Sequence, residues 1–289
     1  RSNSAVAFLR PALKRSNLTL ITGAQATRIL MDGKRATGIK YRQGDTTRTV
    51  KAAEVILAGG AYNSPQLLML SGIGPAAHLS ELEINVVQDA AAVGGNLQDH
   101  PAISLEYQRT QTSEFMRNLR LDKLTINMAR AWLFNTGPAS QPVGFSTAFV
   151  KSREGLEIPD LQFFFRPYSR LARQWLPFVY PHAPDAVSIT ACHLRPESRG
   201  EVRLRSTDPM APVGFVNNFL STEADREAMR QAFKISRDLV GQPSFDAIRG
   251  DETAPGSDVE SDVDIDAFIR ETAMTVFHPI GTCRMGSDP

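Results

Sequence analysis

At 289 residues with 42% apolar side chains, the chain is long enough to bury one large core or two modest ones. Its 32 basic and 31 acidic residues leave a net charge of +1, so no overall field draws it to nucleic acid or an anionic bilayer, and neither is an expected partner. No run approaches the roughly 18 apolar residues of a membrane span, and the opening RSNSAVAFLR lacks the apolar centre of a signal peptide.

Residues 17–50 alternate β-prone runs with turn residues: NLTLIT, TRILM, Asp32-Gly33, TGIKYR, Gln43-Gly44-Asp45, TTRTV. That spacing predicts a meander of hairpins. Val55 to Ala58 follow as a short continuous apolar run, the pattern of a strand buried on both faces. After Gly59 and Gly60, Ser64 is the expected N-cap of a helix with Pro65 at its first position, and Gly72 the expected stop. A strand, a glycine turn and a helix start can bring backbone N–H groups close to a nucleotide. An ordinary βα corner gives the same pattern. In Val93 to Pro101, VGGNLQDHP, the polar Asn96, Asp99 and His100 read first as a turn held by side-chain to backbone hydrogen bonds.

Beyond Pro101 the segments lengthen, and a domain boundary near residue 100 is expected. ISLEYQ is followed by a helix-like stretch Leu119 to Phe134, a loop Asn135 to Gly144 and a strand Phe145 to Val150. Leu161 to Phe165, Ala186 to Leu194 and Glu201 to Arg205 read as further strands, together an antiparallel sheet. Of the three phenylalanines Phe163 to Phe165, alternation sends at least one to the core; the others are candidates for a pocket wall. Arg195, Arg199, Arg203 and Arg205 read as a solvated strand edge. Ala228, Met229, Ala232, Phe233, Leu239 and Val240 give Thr222 to Val240 the period of an amphipathic helix. Ser261 and Asp264 form an expected capping box for a helix running toward Met274.

Close to the last residue stands FHPIGTCRMG, Phe277 to Gly286. Pro279 pushes His278 away from helical torsions, and Gly281 and Gly286 permit sharp turns that can hold an imidazole at a cavity wall. A fixed imidazole accepts a proton near neutral pH. The same residues could simply end a helix. Cys283 and Met285 read as packing residues. The cysteines, Cys192 and Cys283, and the five scattered histidines lack the spacing of a disulfide framework or a metal site, so reduced thiols, no structural metal and a cytoplasmic setting are expected.

Taken together, Ala53 to Gly74 (AEVILAGGAYNSPQLLMLSGIG), VGGNLQDHP and FHPIGTCRMG, in this order, resemble the glucose-methanol-choline (GMC) family of FAD-dependent oxidoreductases. PDLQFFF, SRGEVRLRSTDP and FLSTEADR extend the likeness along the chain. The resemblance implies an α+β fold: a partial FAD-binding domain in 1–100, a substrate domain with a helix-covered antiparallel sheet in 101–260, and a return to the FAD domain in 261–289. It implies FAD as cofactor, with Ala26, Gly59, Gly60 and Ser64 facing its adenosine-diphosphate part. It implies His278 as proton acceptor in oxidation of a small alcohol to an aldehyde or ketone, the electron acceptor being oxygen, a quinone or another compound. The family's opening G-x-G-x-x-G fingerprint and its second catalytic His or Asn are not among these residues, so this stretch alone is expected to be inactive. A lyase that keeps FAD as a structural element, and a non-catalytic fragment, remain alternatives.

Overall fold

A computed structural model describes residues 3–141 and 146–286. The expected loop and strand residues Pro142 to Phe145 lie outside the described residues. The chain divides into two compact units, one made of 1–97, 200–216 and 280–289, the other of 98–199 and 217–279. This division differs from the expected boundaries: residues 200–216 leave the middle of the chain for the first unit, and 261–279 stay with the second.

The second unit is built on one antiparallel sheet, in the order Arg249–Ala254, Pro101–Arg109, Ala186–His193, Leu161–Arg166, Ser146–Val150; Met274–Thr275 also pairs with Pro101–Arg109. Every residue of Ala186–His193 is buried. One face of the sheet, through Ile103, Leu105, Phe163, Val187 and Ile189, packs on Met229, Ala232 and Phe233 of the helix Glu223–Gly241 and on Ile265 and Ile269 of the helix Asp262–Thr272. On the strand's alternate positions the polar groups pair: the Thr190 and Ser104 hydroxyls lie 2.6 Å apart, and Ser188 donates to the Tyr168 carbonyl at 3.1 Å. Helix starts follow local chemistry. Thr222 accepts from the Asp225 N–H, and Ser261 and Asp264 form the full capping box.

In the first unit, Ala24–Asp32, Arg35–Gln43 and Thr46–Lys51 form the expected antiparallel meander, but NLTLIT stays outside it, with Leu18, Leu20 and Ile21 exposed. Val55 to Ala58 also departs from expectation. It is not a buried strand: no described strand pairs with it, and Ile56 is 82% exposed. A strand buried on both faces requires a neighbouring strand and covering layers, and the three-stranded meander supplies neither to this run. Glu201–Arg203 pairs with Gly214–Val216 in its own two-stranded ribbon rather than joining the large sheet.

The helix after the glycine turn begins earlier than its residues predict. It spans Gly60–Leu70 with Gly59 as N-cap, so Ser64 and Pro65 sit inside it. The Ser64 hydroxyl reaches back to accept the Gly59 N–H at 3.0 Å, which ties the turn from within. Pro65 has no N–H, so the Ala61 carbonyl loses its helical donor. The buried Thr282 hydroxyl replaces it, 2.6 Å away. Gly72, at φ +87°, ends the helix as expected; a Cβ there would meet the Asn85 carbonyl oxygen at 2.4 Å.

Candidate functional site

In the second unit, residues 277–279 of the histidine run are held by one carboxylate. Asp99, nearly fully buried, accepts the backbone N–H of His278 at 3.0 Å and that of His100 at 2.8 Å through Oδ1, while its Oδ2 accepts the Thr275 hydroxyl. Thr275 Oγ1 in turn accepts the Phe277 N–H at 2.8 Å. Phe277 takes φ +65°, an uncommon conformation for an aromatic residue that these bonds on either side hold in place. The result is a fixed turn whose backbone is bound and whose His278 side chain is exposed to solvent. The expected turn role of Asp99 was thus half of its work: it also grips a segment 179 positions away.

Beside His278 stands His100, with ring centroids 5.3 Å apart and an edge-to-face geometry. Burial, followed by the proximity of His278, holds His100 below the ordinary imidazole range against the pull of Asp99. A neutral His100 therefore adds no positive charge beside the His278 ring.

In the first unit, the residues Ala26, Gly59 and Ser64 line one cleft of about 280 Å³, together with Leu57, Asn63 and Leu67. Gly60 adjoins it in sequence at φ +76°, with open space where a Cβ would stand. Gly59 is tighter: a Cβ there would come within 3.1 Å of the Asn63 Cβ and 3.3 Å of the Ser64 nitrogen. At the far end of the motif, Asn96 donates to the Gly281 carbonyl at 3.1 Å and the Gly94 N–H to the Thr282 carbonyl at 2.9 Å. VGGNLQDHP therefore binds the histidine run at several points, two in each unit. Cys283 and Met285, expected to pack, are exposed. Phe163 is core, and Phe165 packs against the same core.

Thr275 and Thr282 escaped the sequence reading. Each is a lone hydroxyl in a segment dominated by histidine, proline and glycine signals. Their partners, Asp99 and the carbonyl left open by Pro65, are far away in sequence. The proline inside a helix was the one clue to the second.

Family models described as GMC oxidoreductase match residues 1–102 and 196–289. The oxygen-dependent choline dehydrogenase of Brucella ovis is 41% identical over 99% of this chain and 52% of its own length. That of Yersinia pseudotuberculosis is 40% identical over 100% of the chain and 51% of its length. The crystal structure of pyridoxine 4-oxidase from Mesorbium loti superposes with a TM-score of 0.82 at 27% identity, covering 100% of this chain and 52% of that one. The chain spans about half the length of the relatives it matches.

Proposed function

Because the chain belongs to the GMC oxidoreductase family, we propose that the full-length protein oxidises a small alcohol to an aldehyde or ketone with FAD as its cofactor and His278 as the proton acceptor. The names of the relatives make choline the first alcohol to try. The observation that supports the reading most is the turn fixed by Asp99, which presents the His278 ring outward while binding its backbone. An alcohol must lose its hydroxyl proton as well as a hydride. His278 takes the proton at a ring nitrogen, and neutral His100 beside it keeps that step free of a second charge. FAD, when bound, supplies the hydride acceptor that no side chain provides.

The cleft at Ala26, Gly59 and Ser64 fits one end of that group: these small residues form part of a wall otherwise made by larger side chains such as Leu57 and Leu67, and the neighbouring Gly60 backbone is bare on the side where a side chain would stand. In this reading the first unit holds the adenosine-diphosphate side and the large sheet shapes the substrate side. Both cysteines are free, in keeping with a reaction in the cytoplasm. Placing Val at Gly59 crowds Asn63 and Ser64, and purified full-length Gly59→Val is expected to carry much less flavin by absorbance. Undiminished flavin content would refute the assignment of the cleft. For the activity itself, anaerobic mixing of the full-length protein with choline and other primary alcohols should bleach the flavin spectrum. Peroxide on readmitting air would mark oxygen as the acceptor, and its absence with an added quinone restoring the spectrum would mark a quinone. A spectrum that no alcohol bleaches would overturn the redox reading in favour of a lyase.

A further inference from the structure

Two imidazoles meet at the fixed turn, and both backbones are tied to the same partners. His100 donates its N–H to Asp99 Oδ1 at 2.8 Å, and its carbonyl accepts the Val276 N–H at 3.3 Å. His278 donates its own N–H to the same Asp99 oxygen at 3.0 Å. Directly alongside, Met274 and Thr275 pair with Ala102 and Pro101. The 5.3 Å between the two ring centroids is therefore set by the fold around them.

The hydrogen bonds of these rings are incomplete in a matching way. His100 Nδ1 is buried and has no partner. The same ring bonds the Leu194 carbonyl, and with Nδ1 unbonded that contact falls to Nε2. His100 then carries its proton on Nε2 and a bare lone pair on Nδ1. A buried acceptor left without a donor is costly, and such atoms call for an explanation. Beside it, neither ring nitrogen of His278 has a hydrogen-bond partner among the described residues. Asp99 does not serve, since its Oδ1 takes two backbone N–H groups and its Oδ2 the Thr275 hydroxyl. A neutral imidazole has one N–H and one lone pair. If its lone pair is to take the proton of an alcohol, its N–H must sit on the other nitrogen, and that N–H needs an acceptor. Nitrogens facing each other, each about 1.1 Å from its ring centre, would stand about 3 Å apart at this centroid separation, a hydrogen-bond length. The edge-to-face rings reach that alignment by rotation of the exposed His278 side chain.

We propose that His100 is a positioning residue: its Nδ1 accepts the ring N–H of His278, which fixes the tautomer of His278 and leaves the outward nitrogen bare to take the proton. The inference rests on the reading of His278 as the base. The bonds then run in one direction, from the His278 N–H to His100 Nδ1 and from the His100 Nε2–H to the Leu194 carbonyl. When His278 gains a proton on its outward nitrogen, the bond to His100 persists and is strengthened by the charge, and no proton has to leave His100.

The test compares two side chains of nearly equal length at this position in the full-length flavin-loaded protein. In His100→Gln the amide oxygen accepts an N–H; in His100→Met the thioether is only a weak acceptor. Anaerobic stopped-flow reduction by an alcohol that bleaches the wild type gives the limiting rate and the half-saturating concentration separately. His100→Met should lower the limiting rate by about 10–100-fold, as for other partners that orient a working imidazole, with flavin content and half-saturation close to wild type. His100→Gln should retain most of the wild-type rate. Should His100→Met fail to retain flavin, His100→Leu is measured in its place with the same expectation. Equal rates in the Gln and Met variants, whether both fast or both slow, would overturn the proposal. His278→Ala in the same assay separates the two claims. If it is slow while His100→Met is not, His278 acts without help from His100 and the proposal fails alone. If it reduces flavin as fast as the wild type, the reading of His278 as the base fails, and this inference with it.

Discussion

Two apolar runs, one in each unit, are buried to different degrees, and the difference shows what a strand needs. In the sheet unit, Ala186–His193 has a partner on each side and a helical layer on one face, and all eight residues are buried. In the other unit, Val55 to Ala58 is as apolar as any strand of the sheet, yet it has no described partner and leaves Ile56 in solvent. Apolar sequence is a demand for burial, and it is met only where other segments arrive to pair and cover. The core of the sheet unit therefore closes on its own residues. The glycine-turn unit presents an open flank next to the cleft assigned to the cofactor.

The largest effect that would sharpen this contrast is in the sheet unit. Phe233 is 1% exposed and meets the Phe268 ring edge-to-face at 5.7 Å. Phe233→Ala should cost about 3–5 kcal/mol in urea unfolding of the chain, as for other large-to-small core changes. Ile56→Ala in the same chain should be nearly neutral; a comparable loss at Ile56 would erase the distinction between the units.

A smaller effect is expected where the glycine-turn unit is well closed. Thr282→Val leaves the Ala61 carbonyl without a donor and should cost about 1–3 kcal/mol. Pro65→Ala in the same protein restores an N–H to that carbonyl and should recover most of the loss. If the double variant is no more stable than Thr282→Val alone, the hydroxyl is not substituting for the helical bond.

The smallest effect is a pH dependence confined to the sheet unit. His193 lies between Asp225, 3.7 Å from Nδ1, and Asp160, 3.8 Å from Nε2, yet burial is the larger influence and lowers its affinity for protons. With the folded value below the unfolded one, the unfolded chain takes up the proton first as pH falls through about 6.5. Stability contributed by neutral His193 is thus full above that pH and declines below it until the folded imidazole itself titrates. The urea midpoint should fall between about pH 7 and pH 5, and fall less in His193→Gln, with His100 contributing the same sign. A midpoint that rises on acidification would show that the two carboxylates outweigh burial.

Features encoded within a few residues were legible. Ser261 and Asp264 announced their helix, Gly72 its end, and the alternation through Phe163 to Phe165 that at least one of them is core. Ser64 and Pro65 misled because Pro is common at a first helical position, and only the distant Thr282 makes it tolerable five residues inside. His278 was marked by its proline and glycines. The carboxylate that fixes it could not be identified from spacing, since Asp99 reads locally as a turn residue and its second set of partners depends on how the chain returns.

The central claim is that this fixed turn presents His278 as the base for alcohol oxidation. It is tested most directly by stopped-flow flavin reduction in full-length His278→Ala, mixed anaerobically with an alcohol that bleaches the wild type. The expected result is normal flavin content with reduction slowed by a factor on the order of 10² or more. Reduction at close to the wild-type rate would contradict it.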